Sequence, residues 1–280
     1  MLEKKIIIGV GITSATKEEI LEYIIRSLEK NSKKYFIVTP NPEILVLANK
    51  NLQYKNILNE AKIAVSDGIG VVLAGKILGK QLKERLTGVD LLENLCREVS
   101  EKPITVGFLG GGPGIAEKTA ECLVKKYPRL KVVFAGEEWP GNNFDGRKSN
   151  MEDSNLKIEN RKLKIKDKEK IYSLSSNIKK LSSIFYHPSS NKIDLLFVAF
   201  GPPKQEIWIS KNLEYLPVKV AIGVGGAFDY ISGRVKRAPK WVRELGFEWL
   251  YRLIRQPWRL KRQLRLLEFA FLVLKEQIRL

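Results

Sequence analysis

Several short polar constellations stand where a β-branched run gives way to glycine or proline, the place where chemistry is most often done. Thr39-Pro-Asn41-Pro follows the run Tyr35–Val38. Two prolines stiffen that turn and delay the next helix, so Thr39 and Asn41 would hold short polar groups over a crevice. Asn41 could equally serve as a plain helix cap. Ser66-Asp67-Gly-Ile-Gly70 follows Lys62–Val65. A carboxylate in that place can act as general base, as metal ligand, or as the cap of the following helix. Leu109-Gly110-Gly111-Gly112-Pro-Gly114 lies between a strand-like and a helical run. Glycines let backbone N–H groups close on an anion, and a helix N-terminus favours negative charge. Gly110, Gly111, Gly112 and Gly114 are therefore candidates for cradling a phosphate. Glu137, near the end of the next strand, would meet a ribose hydroxyl. Gly201-Pro-Pro-Lys-Gln205-Glu206 opens a helix with three consecutive long polar side chains. Gly9-Val-Gly11 and Gly223-Val-Gly-Gly226 are weaker signals that tight turns alone would explain.

Other chemistries have little to work with. His187 is the single histidine and there are two cysteines, so no multi-histidine metal site can form and a disulfide framework is excluded. The cysteines read as reduced, intracellular thiols. No Asp-x-Asp follows any strand-like run, so neither a metal nor another cofactor is expected. If a diphosphate leaves during the reaction, arginine or lysine must carry its charge. Arg252, Arg255, Arg259 and Arg262 are spaced to share one helix face, although Pro257 interrupts them.

The elements that must position these residues alternate. Lys5–Val10, Tyr35–Val38, Lys62–Val65, Ile104–Leu109, Lys131–Ala135, Asp194–Phe200 and Val218–Ile222 are short apolar runs. Lys17–Glu29, Glu43–Lys50, Asp90–Val99 and Gly114–Tyr127 have helical spacing. Such alternation predicts an α/β fold: a Rossmann-like, mostly parallel sheet with helices on both faces and its ligand at the carboxyl ends of the strands. About 142–191 is Lys-, Ser- and Asn-rich and is expected to be a partly disordered, solvated insertion. From Arg234 onward the pattern is a basic amphipathic helical appendage holding Trp241, Trp249 and Trp258, three of the five tryptophans. No apolar run reaches the roughly 18–20 residues that span a bilayer, and Met1-Leu-Glu-Lys-Lys leads straight into a strand-like run, so no signal peptide is expected.

Charge follows the same division. The net +18 of 280 residues splits into +3 for the body, +6 for Asp145–Lys192 and +9 for Arg234–Leu280. A basic helix carrying Trp, Leu and Phe has the pattern of one lying in a membrane interface. An ordinary helix packed on its own domain, or on a second copy in a homo-oligomer, would look alike.

Taken in order, Thr39-Pro-Asn, Ser66-Asp-Gly-Ile-Gly, Arg85-Leu-Thr-Gly-Val-Asp90, Phe108–Gly114, Gly201–Glu206, Gly223-Val-Gly-Gly-Ala-Phe-Asp229, Arg237-Ala-Pro-Lys-Trp241 and Glu248–Leu253 resemble the WecG/TagA/CpsF glycosyltransferase family. The resemblance covers nearly the whole chain outside 142–191. It is nearest to the branch that moves N-acetylmannosamine from its UDP donor to the 4-hydroxyl of GlcNAc-diphospho-undecaprenol, an early committed step of wall teichoic acid synthesis. It implies an inverting displacement with Asp67 as base. Thr39, Asn41, Arg85 and Gln205 match the sugar pocket, and Arg252, Arg259 and Arg262 match arginines that close over the leaving diphosphate. It also implies a catalytic body of residues 1–233 and a membrane-associating appendage of 234–280, whose loss would leave the body folded but inactive. The protein would be cytoplasmic and peripheral on the inner face of the plasma membrane, with a UDP-sugar, a polyprenyl-diphosphate-linked GlcNAc and an anionic membrane surface as partners.

Two other classes compete. The glycine turn and Glu137 would suit an NAD(P)-dependent oxidoreductase, but no Tyr-Lys or His hydride-transfer constellation accompanies them. A non-catalytic membrane- or nucleic-acid-binding module would use the charge, but no nucleic-acid reader motif is present, so no nucleic-acid partner is expected. Within the family, UDP-N-acetylmannosaminuronate and UDP-glucose are alternative donors for surface polysaccharides.

Overall fold

A computed structural model describes residues 2–30, 33–139, 192–257 and 260–278, with 261–263 described by their backbone alone. The insertion, Trp258 and Arg259 lie outside the described residues.

Six strands form one parallel sheet: β3 (Tyr35–Val38), β4 (Ile63–Ala64), β5 (Thr105–Gly110), β6 (Lys131–Gly136), β7 (Ile193–Ala199) and β8 (Val218–Gly223). Their spatial order is β4-β3-β8-β7-β5-β6. Side chains alternate between two cores, as the period of two requires. Along β7, Leu195 and Phe197 enter one core while Leu196 and Val198 enter the other. The first core holds α1 (Lys17–Glu29), α5 (Gly88–Val99), α6 (Ile115–Lys126) and α8 (Ala227–Ile231); Phe108 stacks there on Phe197 with centroids 5.7 Å apart. The second holds α2 (Pro42–Lys50), α3 (Leu52–Glu60), α4 (Ile69–Ile77) and α7 (Lys204–Asn212). Every strand of the sheet therefore aims its carboxyl end at one crevice.

The first apolar run departs from expectation. Instead of one strand over Lys5–Val10, the chain makes a separate antiparallel hairpin of β1 (Lys4–Ile7) and β2 (Val10–Thr13). Ile8 and Gly9 both take positive φ, 49° and 75°, which is what a two-residue turn between right-twisted strands demands. Gly9-Val-Gly11 is thus turn and strand.

Among the described residues three helices follow the body: α9 (Lys240–Glu244), α10 (Glu248–Arg255) and α11 (Leu260–Ile278). Pro257 separates α10 from α11, as its missing N–H requires. Helix α11 does not stand free. Phe269 and Val273 enter the second core beside α2 and α4. Glu276 accepts from the Ile8 N–H at 3.0 Å and from Lys80 Nζ at 2.8 Å, and Lys50 pairs with Glu268 at 2.8 Å. Its other face leaves Leu264, Leu267, Phe271 and Leu274 exposed, and Leu73 and Ile77 of α4 are exposed too. No described helix is long and apolar enough to cross a membrane.

Candidate active site

The strand ends enclose a cavity of about 890 Å³, toward the upper end of the ~300–1,000 Å³ usual for small-molecule sites. Thr39, Asn41, Asp67, Arg85, Gly110, Gly111, Gly112, Glu137, Gln205 and Arg252 all line it. Gly114 does not; it takes a left-handed conformation and begins α6. Arg259 and the side chain of Arg262 fall outside the described residues.

Thr39 is buried, and its Oγ1 donates to the Gly223 carbonyl at 2.9 Å, tying the end of β3 to that of β8. Asn41 does both things its position allowed. Its Oδ1 caps α2 by accepting the Ile44 N–H at 3.0 Å, and the residue lines the cavity.

Asp67 does not cap. Gly68 is the N-cap of α4, with no side-chain cap bond, so the carboxylate is left to the cavity. Its backbone is held by a 2.9 Å bond from its N–H to the Pro40 carbonyl. Burial, then the carboxylates of Glu248 and Asp90, push the Asp67 carboxyl up to about 7, against the Gly88 backbone N–H and the Arg85 charge. A carboxyl in that range is a competent proton acceptor near neutrality.

The charged surroundings come from both body and C-terminal helices. Arg237 bridges Asp90 at 2.8 Å and Glu248 at 3.2 Å. Thr87 Oγ1 donates to Asp90 Oδ2 at 2.6 Å. Arg85 donates to the Arg243 carbonyl at 2.8 Å. Across the cavity, Arg252 lies over the Tyr230 ring at 4.9 Å and reaches Asp229 at 3.7 Å, while Arg234 reaches the other Asp229 oxygen at 3.5 Å. The Arg252 guanidinium rests on the Gly225-Gly226 turn, since a Cβ added at Gly226 would lie 3.2 Å from its Nη2.

Gly110, Gly111 and Gly112 have φ of 100°, 86° and 91°. A Cβ at Gly111 would come within 2.7 Å of Ile115, so only glycine fits there. The Gly111 N–H is already spent on the Ala199 carbonyl at 3.1 Å, which fastens this loop to the end of β7. Gln205 is fully buried; its Oε1 accepts from the Gly201 and Gly225 N–H groups at 3.1 and 2.9 Å, and its Nε2 donates to Glu206 at 2.8 Å. Ile69, Leu73, Trp249, Leu266 and Phe269 add an apolar part to the lining.

Among the described residues no three His, Cys, Asp or Glu side chains gather as a metal ion would need. Glu248, Asp90, Arg237, Asp229 and Arg234 belong to the site without having been singled out in the sequence. For all but Arg234, the one signal was membership of the ordered motifs.

The family model for the glycosyl transferase WecG/TagA/CpsF family matches residues 5–142 and 154–280. The chain is 31% identical over 250 residues to an enzyme named N-acetylglucosaminyldiphosphoundecaprenol N-acetyl-beta-D-mannosaminyltransferase from Bacillus spizizenii, covering 89% of this chain and 82% of that protein. It is 30% identical to the enzyme of the same name from Bacillus subtilis, over 86% and 79%, and 28% identical to that from Staphylococcus aureus, over 89% and 83%. A match over nearly its whole length, on a parallel sheet whose strand ends carry the family's motifs, means that this chain belongs to the WecG/TagA/CpsF family of glycosyltransferases.

Proposed function

We propose that the protein transfers N-acetylmannosamine from UDP-N-acetylmannosamine to the 4-hydroxyl of a polyprenyl-diphosphate-linked N-acetylglucosamine, with inversion at the anomeric carbon. The observation that carries this reading is the placement of Asp67. A carboxyl lifted to about 7 faces a cavity with arginines on one wall and an apolar mouth on another. In the reaction the acceptor oxygen forms its bond to the anomeric carbon as the bond to the UDP β-phosphate oxygen breaks. Asp67 takes the hydroxyl proton, a contribution of about 10²–10⁴-fold for a positioned base. Charge grows on the departing diphosphate, and Arg252 and Arg234 stand where it can be met electrostatically. Thr39 and Asn41 frame the sugar end, and Glu137 the nucleoside end.

The acceptor is amphiphilic, and the cavity matches that character. Leu73, Trp249, Leu266 and Phe269 give it an apolar lining, and Leu267, Phe271 and Leu274 are exposed on the other face of α11, so the lining would take the first part of the polyprenyl chain and the exposed face would meet lipid. With the +9 of the C-terminal segment, this supports peripheral binding to the anionic inner face of the membrane. Family membership replaces the oxidoreductase reading. The test is incubation with a lipid-diphospho-GlcNAc acceptor and UDP-N-acetylmannosamine, UDP-N-acetylmannosaminuronate or UDP-glucose, read by product mass. A disaccharide product from the first donor is expected. Transfer only from another donor, or none, refutes the assignment.

A further inference from the structure

The motif Gly201-Pro-Pro-Lys-Gln-Glu206 puts two polar side chains wholly inside the protein at the edge of the cavity. Gln205 and Glu206 each have no exposed surface. Gln205 has both ends engaged, its oxygen by two glycine N–H groups and its nitrogen by Glu206 Oε1. Glu206 in turn accepts the Tyr54 hydroxyl on Oε2 at 3.1 Å. Burial pushes the Glu206 carboxyl up, held down in part by those donors, and burial pushes the Tyr54 hydroxyl up, so Tyr54 stays a donor.

The direction of this chain matters. An amide can present either end to a neighbour. Glu206, an acceptor, takes the Gln205 nitrogen and so turns the Gln205 oxygen toward Gly201 and Gly225. Those glycines begin the turns after β7 and β8. The β5 turn is fastened to the same place through Gly111 and Ala199, and Arg252 rests on the β8 turn. We propose that Glu206, backed by Tyr54, is a positioning residue that fixes Gln205 as a buried strap across the glycine turns that carry the donor diphosphate. Gln205 acts through the turns it ties and not by touching sugar. The idea rests on the cavity taking a UDP-sugar.

Exchanging the two residues tests it. Gln205→Glu alone sets two carboxylates against each other and is expected to lower kcat/KM for the UDP-sugar by about 10- to 100-fold, the scale of a lost hydrogen bond to a buried charged group. The loss falls mainly on KM, and the pH–rate midpoint set by Asp67 stays in place. Glu206→Gln keeps an acceptor for Gln205 and costs less. The double variant Gln205→Glu/Glu206→Gln restores every partner: the new carboxylate accepts both glycine N–H groups and the new amide nitrogen, and the new amide oxygen accepts from Tyr54. It is expected to recover at least about 10-fold over Gln205→Glu. A double variant that stays at the Gln205→Glu level, whatever its melting temperature, overturns the proposal. Wild-type turnover and UDP affinity are read alongside, so a failure of the substrate assignment shows in the wild type and a failure of the strap only in the variants.

Discussion

Glu248→Gln isolates the electrostatics of the base. Glu248 belongs to α10, in the C-terminal segment, yet it is the first of the two carboxylates that push Asp67 upward, after burial itself. The substitution keeps the side chain's shape and removes its charge. Arg237 keeps Asp90 at 2.8 Å, so the surrounding network stays anchored. Two unit charges roughly 7 Å apart at an effective dielectric of about 20 repel by about 2 kcal/mol. Arg237, 3.2 Å from Glu248, cancels a good part of that, leaving about 0.7–1.4 kcal/mol, or about 0.5–1 in pH. The sign follows from the role: a base works as carboxylate, so kcat/KM rises with pH and levels off above the folded pKa. The wild-type acid limb should have its midpoint near 7, and that of Glu248→Gln should lie about 0.5–1 lower. At pH 6 the variant should then be about 2- to 5-fold faster than wild type, while its alkaline plateau is equal or lower because a less basic carboxylate draws the proton less strongly. The assay is initial-rate transfer from the UDP-sugar across pH 5.5 to 9, at substrate well below KM. A midpoint that stays put or moves upward refutes Asp67 as the titrating base, or Glu248 as its neighbour in charge.

Two further perturbations follow from the same geometry. The Asp67 carboxyl is lifted from 3.8 to about 7, so between those values the folded state binds a proton that the unfolded state does not. Stability therefore falls as pH rises through that window, and the deficit is complete above it. Asp67→Asn should remove a cost of about 2 kcal/mol, discounted for the side chain's residual exposure to the cavity. Its melting temperature at pH 8 should rise by about 4–8 °C, the gain vanishing near pH 4, while turnover drops by about 10²–10⁴-fold; a variant no more stable than wild type at pH 8 contradicts the shift. Phe269→Ala should cost about 3 kcal/mol in urea unfolding, because Phe269 lies in the second core. A change under about 0.5 kcal/mol would mean that α11 is dispensable to the body, as the motif order alone suggested.

What could be read from the chain depended on how far the answer lay along it. Thr39, Asn41 and Asp67 stand at the ends of β-branched runs, and a parallel sheet brings all such ends together, so local pattern was enough to put them at the cavity. The same logic found the glycine turn after β5. It could not say that the Gly111 N–H was already engaged, because its partner Ala199 belongs to another strand. Gln205 was legible as part of a polar cluster at a strand end, but its burial depended on Gly223 and Gly225 closing over it. The Ile8-Gly9 turn was hidden for a different reason: a β-branched residue at positive φ runs against local preference, and the hairpin, the bond from its N–H to Glu276 and burial in the second core keep Ile8 there.

The positive charge of the C-terminal segment has a similar history. As a total of +9 it suggests a polyanion outside the protein. In three dimensions Arg237, Arg243 and Arg252 are turned toward Asp90, Glu248 and Asp229, inside the protein. Glu248 then couples the helices that bear these arginines to the base. Its charge raises the proton affinity of Asp67 only while α10 is seated, and by linkage the protonated base favours α10 seated by the same free energy. In the proposed reaction the acceptor hydroxyl hands its proton to Asp67, and the repulsion between Asp67 and Glu248 is lost. On the proposed mechanism, the segment whose arginines would meet the departing diphosphate is then held more firmly as the diphosphate acquires its charge.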